Sequence, residues 1–227
     1  MAKNGSFNAL PVLRAYLRQV REALAAVSEE EVLRIGEALL RARQRGSTVY
    51  LLGNGGSAST ASHAANDLTK TGSVDGDPAL RTVSLPDNVS MLTAWANDTS
   101  FENVFSAQLE ALLRPGDLVV AISGSGNSPN VLRAVETARE MDALSVGLTG
   151  FAGGRLREMA DLSVVVPALA QGPIEDVHLI LVHVLTEILK RAELEPAAVP
   201  AVAVGAGRGN DGEEVEAGRV SEGRGPW

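Results

Sequence analysis

From residue 48 onward the chain repeats one unit, a short apolar run followed by a stretch with helical periodicity. The runs lie at 48–52, 81–85, 118–122, 145–148 and 162–166. Three of them are almost continuously apolar, as parallel strands covered on both faces must be. Helical patterns fill the intervals at 57–69, 101–113, 129–141 and 155–159, and a long last helix is expected over 174–192. Pro115-Gly116-Asp117 is a turn signal just ahead of the third run. This alternation predicts an α/β fold, a doubly wound five-stranded parallel sheet, taken below in flavodoxin-like order.

The flanks differ from this middle. Leu10, Leu13, Leu17, Val20 and Leu24 recur at helical spacing. Ser28 with Glu31 has the form of a capping box for a second helix, and Gly46 is a natural stop. Residues 1–46 therefore read as a helical hairpin. Such a hairpin can cap the core or supply a subunit interface, and the second reading is preferred. Residues 47–194 form the α/β domain. From 195 to 227 the sequence is rich in Gly, Ala, Pro, Glu and Arg without periodicity, and is expected to be a disordered tail.

Composition removes several chemistries. There is no cysteine, which excludes disulfides, zinc fingers, iron–sulfur clusters and thiol nucleophiles. Only His63, His178 and His183 are available for imidazole chemistry. The net charge of −8 disfavours direct binding of nucleic acid, which needs phosphate neutralisation. No run approaches the ~18 apolar residues of a membrane helix. The first residues lack the pattern of a secretion signal. A cytoplasmic protein without membrane association is expected.

Two loops carry the first functional signal. The first run ends in Gly53-Asn54-Gly55-Gly56-Ser57, and the third in Ser123-Gly124-Ser125-Gly126-Asn127-Ser128, each just before a helix. Glycines let backbone N–H groups approach a ligand, and a helix N-terminus adds partial positive charge. Serine hydroxyls suit phosphate or sugar oxygens. In a sheet of order 2-1-3-4-5, strands 1 and 3 flank the topological switch point where ligands bind. Gly53-x-Gly55-x-x-Ala58 also fits a dinucleotide fingerprint. That motif wants an acid at the end of the second strand about 20 residues on, and Asp87 falls about 30 residues after the loop.

The second signal is a set of imidazoles and carboxylates. His63 and Asp67 stand four apart on one expected helix face. Glu175, His178 and His183 lie on the last helix, and the eight residues from Glu175 to His183 are about two turns. Two imidazoles and two carboxylates suit a borderline divalent cation such as zinc. His178 and His183 can equally be satisfied core or interface residues of an apolar helix.

Taken in order, these motifs resemble sugar isomerase (SIS) domains. They are Gly53-Asn-Gly-Gly-Ser-Ala, His63 with an acid four later, Ser123-Gly-Ser-Gly-Asn-Ser, and Glu175-Asp-Val-His-Leu-x-x-x-His183. Ala94-Trp-Ala-Asn97-Asp98 and the following Phe101-Glu-Asn-Val-Phe105-Ser are similar to a further segment of the phosphoheptose isomerase subgroup. A related subgroup contains the bacterial replication-initiator-associating protein. The resemblance implies an aldose–ketose isomerase acting on a phosphorylated sugar through an enediol. It implies that Asn54, Gly55 and Gly56 hold the sugar chain. Ser123, Gly124, Ser125 and Ser128 would bind phosphate, and Asn97 and Asp98 would contact substrate. It places His63, Asp67, Glu175 and His183 at the family's zinc site, one ion per site, with Asp67 and His183 as the acid–base pair and Asp67 and Glu175 also touching substrate. It implies a homotetramer.

The chain departs from the subgroup at four places. The subgroup has Glu where Asp67 stands, Gln where Glu175 stands, Thr where Gly124 stands, and Asp-Arg where Gly172-Pro173 stands. Asp67 is one methylene shorter, setting its carboxylate about 1.5 Å back, against a proton-transfer reach of about 2.6–3.2 Å. These departures keep a second reading open, a non-catalytic sugar-phosphate sensor or tetrameric adaptor.

Overall fold

Alternate residues of each central strand point to opposite faces, and this parity builds two separate cores. In a computed structural model, Val49 and Leu51 of β1 (Thr48–Gly53) face one side, with Val120 and Ile122 of β3 (Leu118–Ser123). Tyr50 and Leu52, with Val119 and Ala121, face the other. The structure describes residues 7–70 and 78–192. The sheet is completed by β2 (Arg81–Ser84), β4 (Leu144–Gly150) and β5 (Leu162–Val166). Its order is β2-β1-β3-β4-β5 and every pairing is parallel. This is the flavodoxin-like order taken for the sheet.

The first face is covered by α1 (Leu10–Ala25), α2 (Glu29–Arg45), α3 (Gly56–Lys70) and α8 (Gln171–Arg191). The second is covered by α4 (Val89–Asp98), α5 (Ser106–Leu112), α6 (Pro129–Glu140) and α7 (Gly154–Met159). Helices on both faces explain why β1 and β3 are buried at every position. With so few aromatic residues, Ala, Val, Leu and Ile do most of the filling.

Local signals act as expected at the hairpin. Ser28 accepts the Glu31 N–H at 3.3 Å and so caps α2. Gly46 closes the same helix in the left-handed region at φ 67°. The stripe on α1 meets a different fate. Leu10, Leu13, Leu17 and Leu24 remain 40–55% exposed, and Val20 is the member packed against the core. Tyr16 ties α1 to α8 by donating its hydroxyl to Asp176 at 2.7 Å. That bond, with partial desolvation and the nearby acids, raises the phenol above its usual pKa of 10.

Two expectations are corrected. The stretch 101–113 is not one helix: a 3-10 turn at Phe101–Asn103 precedes α5. Val104 and Phe105, between the turn and α5, are both buried in the second core. The segment 89–98, read without an element, forms α4. Residues 195–227, the expected tail, lie outside the described residues.

Candidate active site

The carboxyl ends of β1 and β3 carry the two Gly/Ser loops, and each runs straight into a helix. The strands are direct neighbours, so the loops face one another. Asn54 and Asn130 fasten them together. Each side-chain amide donates to the other's oxygen at 2.9 Å. Asn130 is 2% exposed and stands in the first turn of α6. Sequence reading misses it. Its signal is position alone, two residues past the serine loop and just after the Pro129 that opens the helix.

In the second loop three hydroxyls converge. Ser123 Oγ lies 3.2 Å from Ser128 Oγ and 3.5 Å from Ser125 Oγ. Ser128 is the N-cap residue of α6, yet its side chain caps no helix amide. Its hydroxyl is therefore open to a ligand beside the positive end of the helix dipole.

The start of α8 closes over both loops. The Glu175 carboxylate occupies the space above Gly56, where any Cβ would overlap both of its oxygens. The Gln171 amide occupies the space above Gly124 in the same way, and Gln171 Nε2 donates to Glu175 Oε1 at 2.9 Å. Glu175 thus sets a negative charge at the N-terminus of α3. The first turn of α6, by contrast, carries no acidic residue.

Further along, α3 and α8 bring His63, Asp67 and His183 together. His63 Nε2 is 3.0 Å from Asp67 Oδ2 and 3.0 Å from His183 Nε2, and His183 Nε2 is 3.6 Å from Asp67 Oδ2. The shorter acid still reaches both rings. These three residues offer donor atoms all within 4.8 Å of one another and could hold a metal ion. Zinc bonds of about 2.05 Å at tetrahedral angles would separate ligand atoms by about 3.3 Å, and the observed triangle fits that spacing. Both imidazoles are exposed, so a further position faces solvent.

Two further residues of the last helix lie apart from this triangle. Glu175 is not among the residues whose donor atoms lie within 4.8 Å of one another. The helical repeat puts it on roughly the side of His183, but eight residues of rise separate them by about 12 Å along the axis. Its carboxylate goes to Gly56 instead. His178 takes the core position left open for it. Five residues from His183 is a rotation about 140° off the same face, which drives it into the sheet. It is fully buried, with Nε2 3.0 Å from the Thr149 carbonyl. Desolvation lowers its pKa below 6.5. Asn97 and Asp98 stand exposed at the end of α4, where Asn97 Nδ2 donates to Asp98 Oδ1 at 2.8 Å.

A doubly wound sheet with hydroxyl-lined loops at its switch point and an acid between two imidazoles is equipped for proton transfer on a phosphorylated ligand. Residues 15–150, more than half of the chain, match the SIS-domain family model. The chain belongs to the SIS-domain family. It is 43% identical over 162 residues to phosphoheptose isomerase of Mycobacterium tuberculosis, covering 71% of this chain and 82% of that one. Its fold is similar to the solved phosphoheptose isomerase of Neisseria gonorrhoeae, with a TM-score of 0.74, 33% identity and coverage of 81% and 97%. The Francisella tularensis phosphoheptose isomerase superposes with a TM-score of 0.77 at 28% identity, covering 82% of this chain and 100% of that one. Within the family the chain falls among the phosphoheptose isomerases and is an isomerase. Among the described residues, no helix is long and apolar enough to cross a membrane.

Proposed function

We propose that this enzyme interconverts sedoheptulose 7-phosphate and D-glycero-D-manno-heptose 7-phosphate. The observation that carries the reading is the Asp67 carboxylate held between His63 and His183, on α3, which begins at the first ligand loop, and α8, whose first turn lies over both loops. The phosphate binds at the second loop, on Ser123, Ser125, Ser128 and the backbone at Gly124, because the end of α6 is free of a protein carboxylate. The sugar chain runs toward Asn54, Gly55 and Gly56, within reach of Glu175. Asn97 and Asp98 complete its polar contacts.

Isomerisation moves a hydrogen between C1 and C2. Asp67 takes the proton from C1 of the ketose to leave an enediol, exchanges it with solvent, and delivers a proton at C2. His183 carries the second proton between the two oxygens. His63 holds the Asp67 carboxylate in place. When bound by His63, Asp67 and His183, a zinc ion would supply a Lewis acid for the carbonyl oxygen. The exposed leucines of α1 support assembly with further copies of the chain, as a tetramer. Light scattering on the purified protein checks that mass.

The deciding test is incubation with sedoheptulose 7-phosphate in heavy water, with and without added zinc. Deuterium at C2 of the aldose product is expected. Binding of the sugar phosphate with no exchange would replace this reading by that of a sensor.

A further inference from the structure

Above Gly124, the space a side chain would take is filled by another residue. A Cβ there would lie 2.5 Å from Gln171 Nε2 and 2.7 Å from Gln171 Oε1. No left-handed backbone requires glycine at 124, whereas Gly55 and Gly126 have positive φ. The amide that lies over Gly124 is the far end of a flexible side chain, and an added Cβ would have to displace it from its bond to Glu175. The same amide donates to Glu175, whose carboxylate in turn excludes a side chain at Gly56. One side chain therefore connects the loop after β3 to the loop after β1 by way of Glu175. Gln171 is in the first turn of α8, and its Nε2 has a defined partner although the residue is exposed.

We propose that Gln171 is a positioning residue for the isomerase, a clasp that fixes the Glu175 carboxylate over the first loop and so sets the room left for the sugar phosphate between the loops. The role rests on the isomerase reading and adds to it. Gln171 moves no proton in the reaction. It acts through Glu175, and its amide stands in for a side chain at 124.

Two measurements test the clasp. The first is a thermal cycle of wild type, Gly124→Ala, Gln171→Ala and the double variant. Gly124→Ala is expected to lower Tm in the wild-type background and to have no effect in the Gln171→Ala background, because the overlap is then gone. Equal losses in both backgrounds would overturn the contact. The second is steady-state kinetics of Gln171→Leu, which keeps bulk and removes the donor, beside Gln171→Ala. Loss of one hydrogen bond to a charged group is expected to raise KM for sedoheptulose 7-phosphate about tenfold in both variants, with kcat within about twofold. An unchanged KM, or a loss confined to kcat, would overturn the positioning role. A wild type that neither binds nor converts the sugar refutes the isomerase reading and the positioning role together, and the thermal cycle still decides the contact.

Discussion

His63 Nε2 and His183 Nε2 approach to 3.0 Å, with their rings inclined at 61°. Two ring nitrogens at that distance cannot both carry protons facing each other, so at least one lone pair points into the gap. Asp67 Oδ2 faces the same gap. Three donor atoms turned inward are the arrangement a cation favours. Purified protein is expected to retain about one zinc or cobalt ion per chain after dialysis, read by atomic absorption. His183→Ala and Asp67→Asn should each lower that occupancy at least tenfold, in line with the loss of one ligand. Full occupancy in both variants would place the metal elsewhere.

The reciprocal amide pair of Asn54 and Asn130 yields a different test. Asn130 is buried, and its side chain both donates to the first loop and accepts from it. Replacing it by Ala strands the Asn54 amide and frees the loop from α6. A loss of about 1–3 kcal/mol in denaturant unfolding is expected. A rise in KM should accompany it, because the loops lose their common register. Asn130→Ala with unchanged stability and unchanged KM would show that the pair holds nothing.

His178 makes stability depend on pH. Its folded pKa lies below the unfolded value of 6.5, chiefly because burial disfavours the charged ring, with the Thr149 carbonyl opposing in part. The unfolded chain therefore binds the proton first. Stability is full above about pH 6.5 and falls as pH drops from there toward the lowered folded value. Wild-type Tm should decline through that window. His178→Asn should start lower by about 1–3 kcal/mol from the altered bond to Thr149, and its decline should be shallower. Parallel pH profiles would rule out His178 as the source.

How much of this is legible in the sequence depends on what periodicity encodes. The parallel doubly wound sheet, both loops and the His63–Asp67 pair follow from alternation and from i, i+4 spacing. Periodicity gives the direction of a side chain around an axis and says nothing of its height, so Glu175 groups with His183 by pattern though it sits about two turns away. The helix α4 is hard to read because its stripe is short, only Leu92, Trp95 and Ala96, and none of the three is fully buried. Its one local mark is Asn88, which accepts the Met91 N–H at 3.1 Å. Gln171 acts across to the loop after β3 and Asn130 to the loop after β1, and no pattern within their own helices records those partners.

Arg43 carries the last prediction. It is 1% exposed, and its Nη1 donates to the Leu189 carbonyl at 2.9 Å, with Nη2 at 3.5 Å from the Ala192 carbonyl. These carbonyls belong to the end of α8, where a helix leaves acceptors without partners and carries partial negative charge. A buried guanidinium there satisfies the acceptors while its stem fills the core beside α2. Arg43→Met keeps most of the volume and removes the donors. It should cost about 2–4 kcal/mol, since buried acceptors lose a charged partner. The damage should stay local to the end of α8. Hydrogen exchange is expected to quicken at residues 186–191 while the amides of β1 and β3 stay protected. Uniform quickening across the sheet would show instead that Arg43 supports the whole fold.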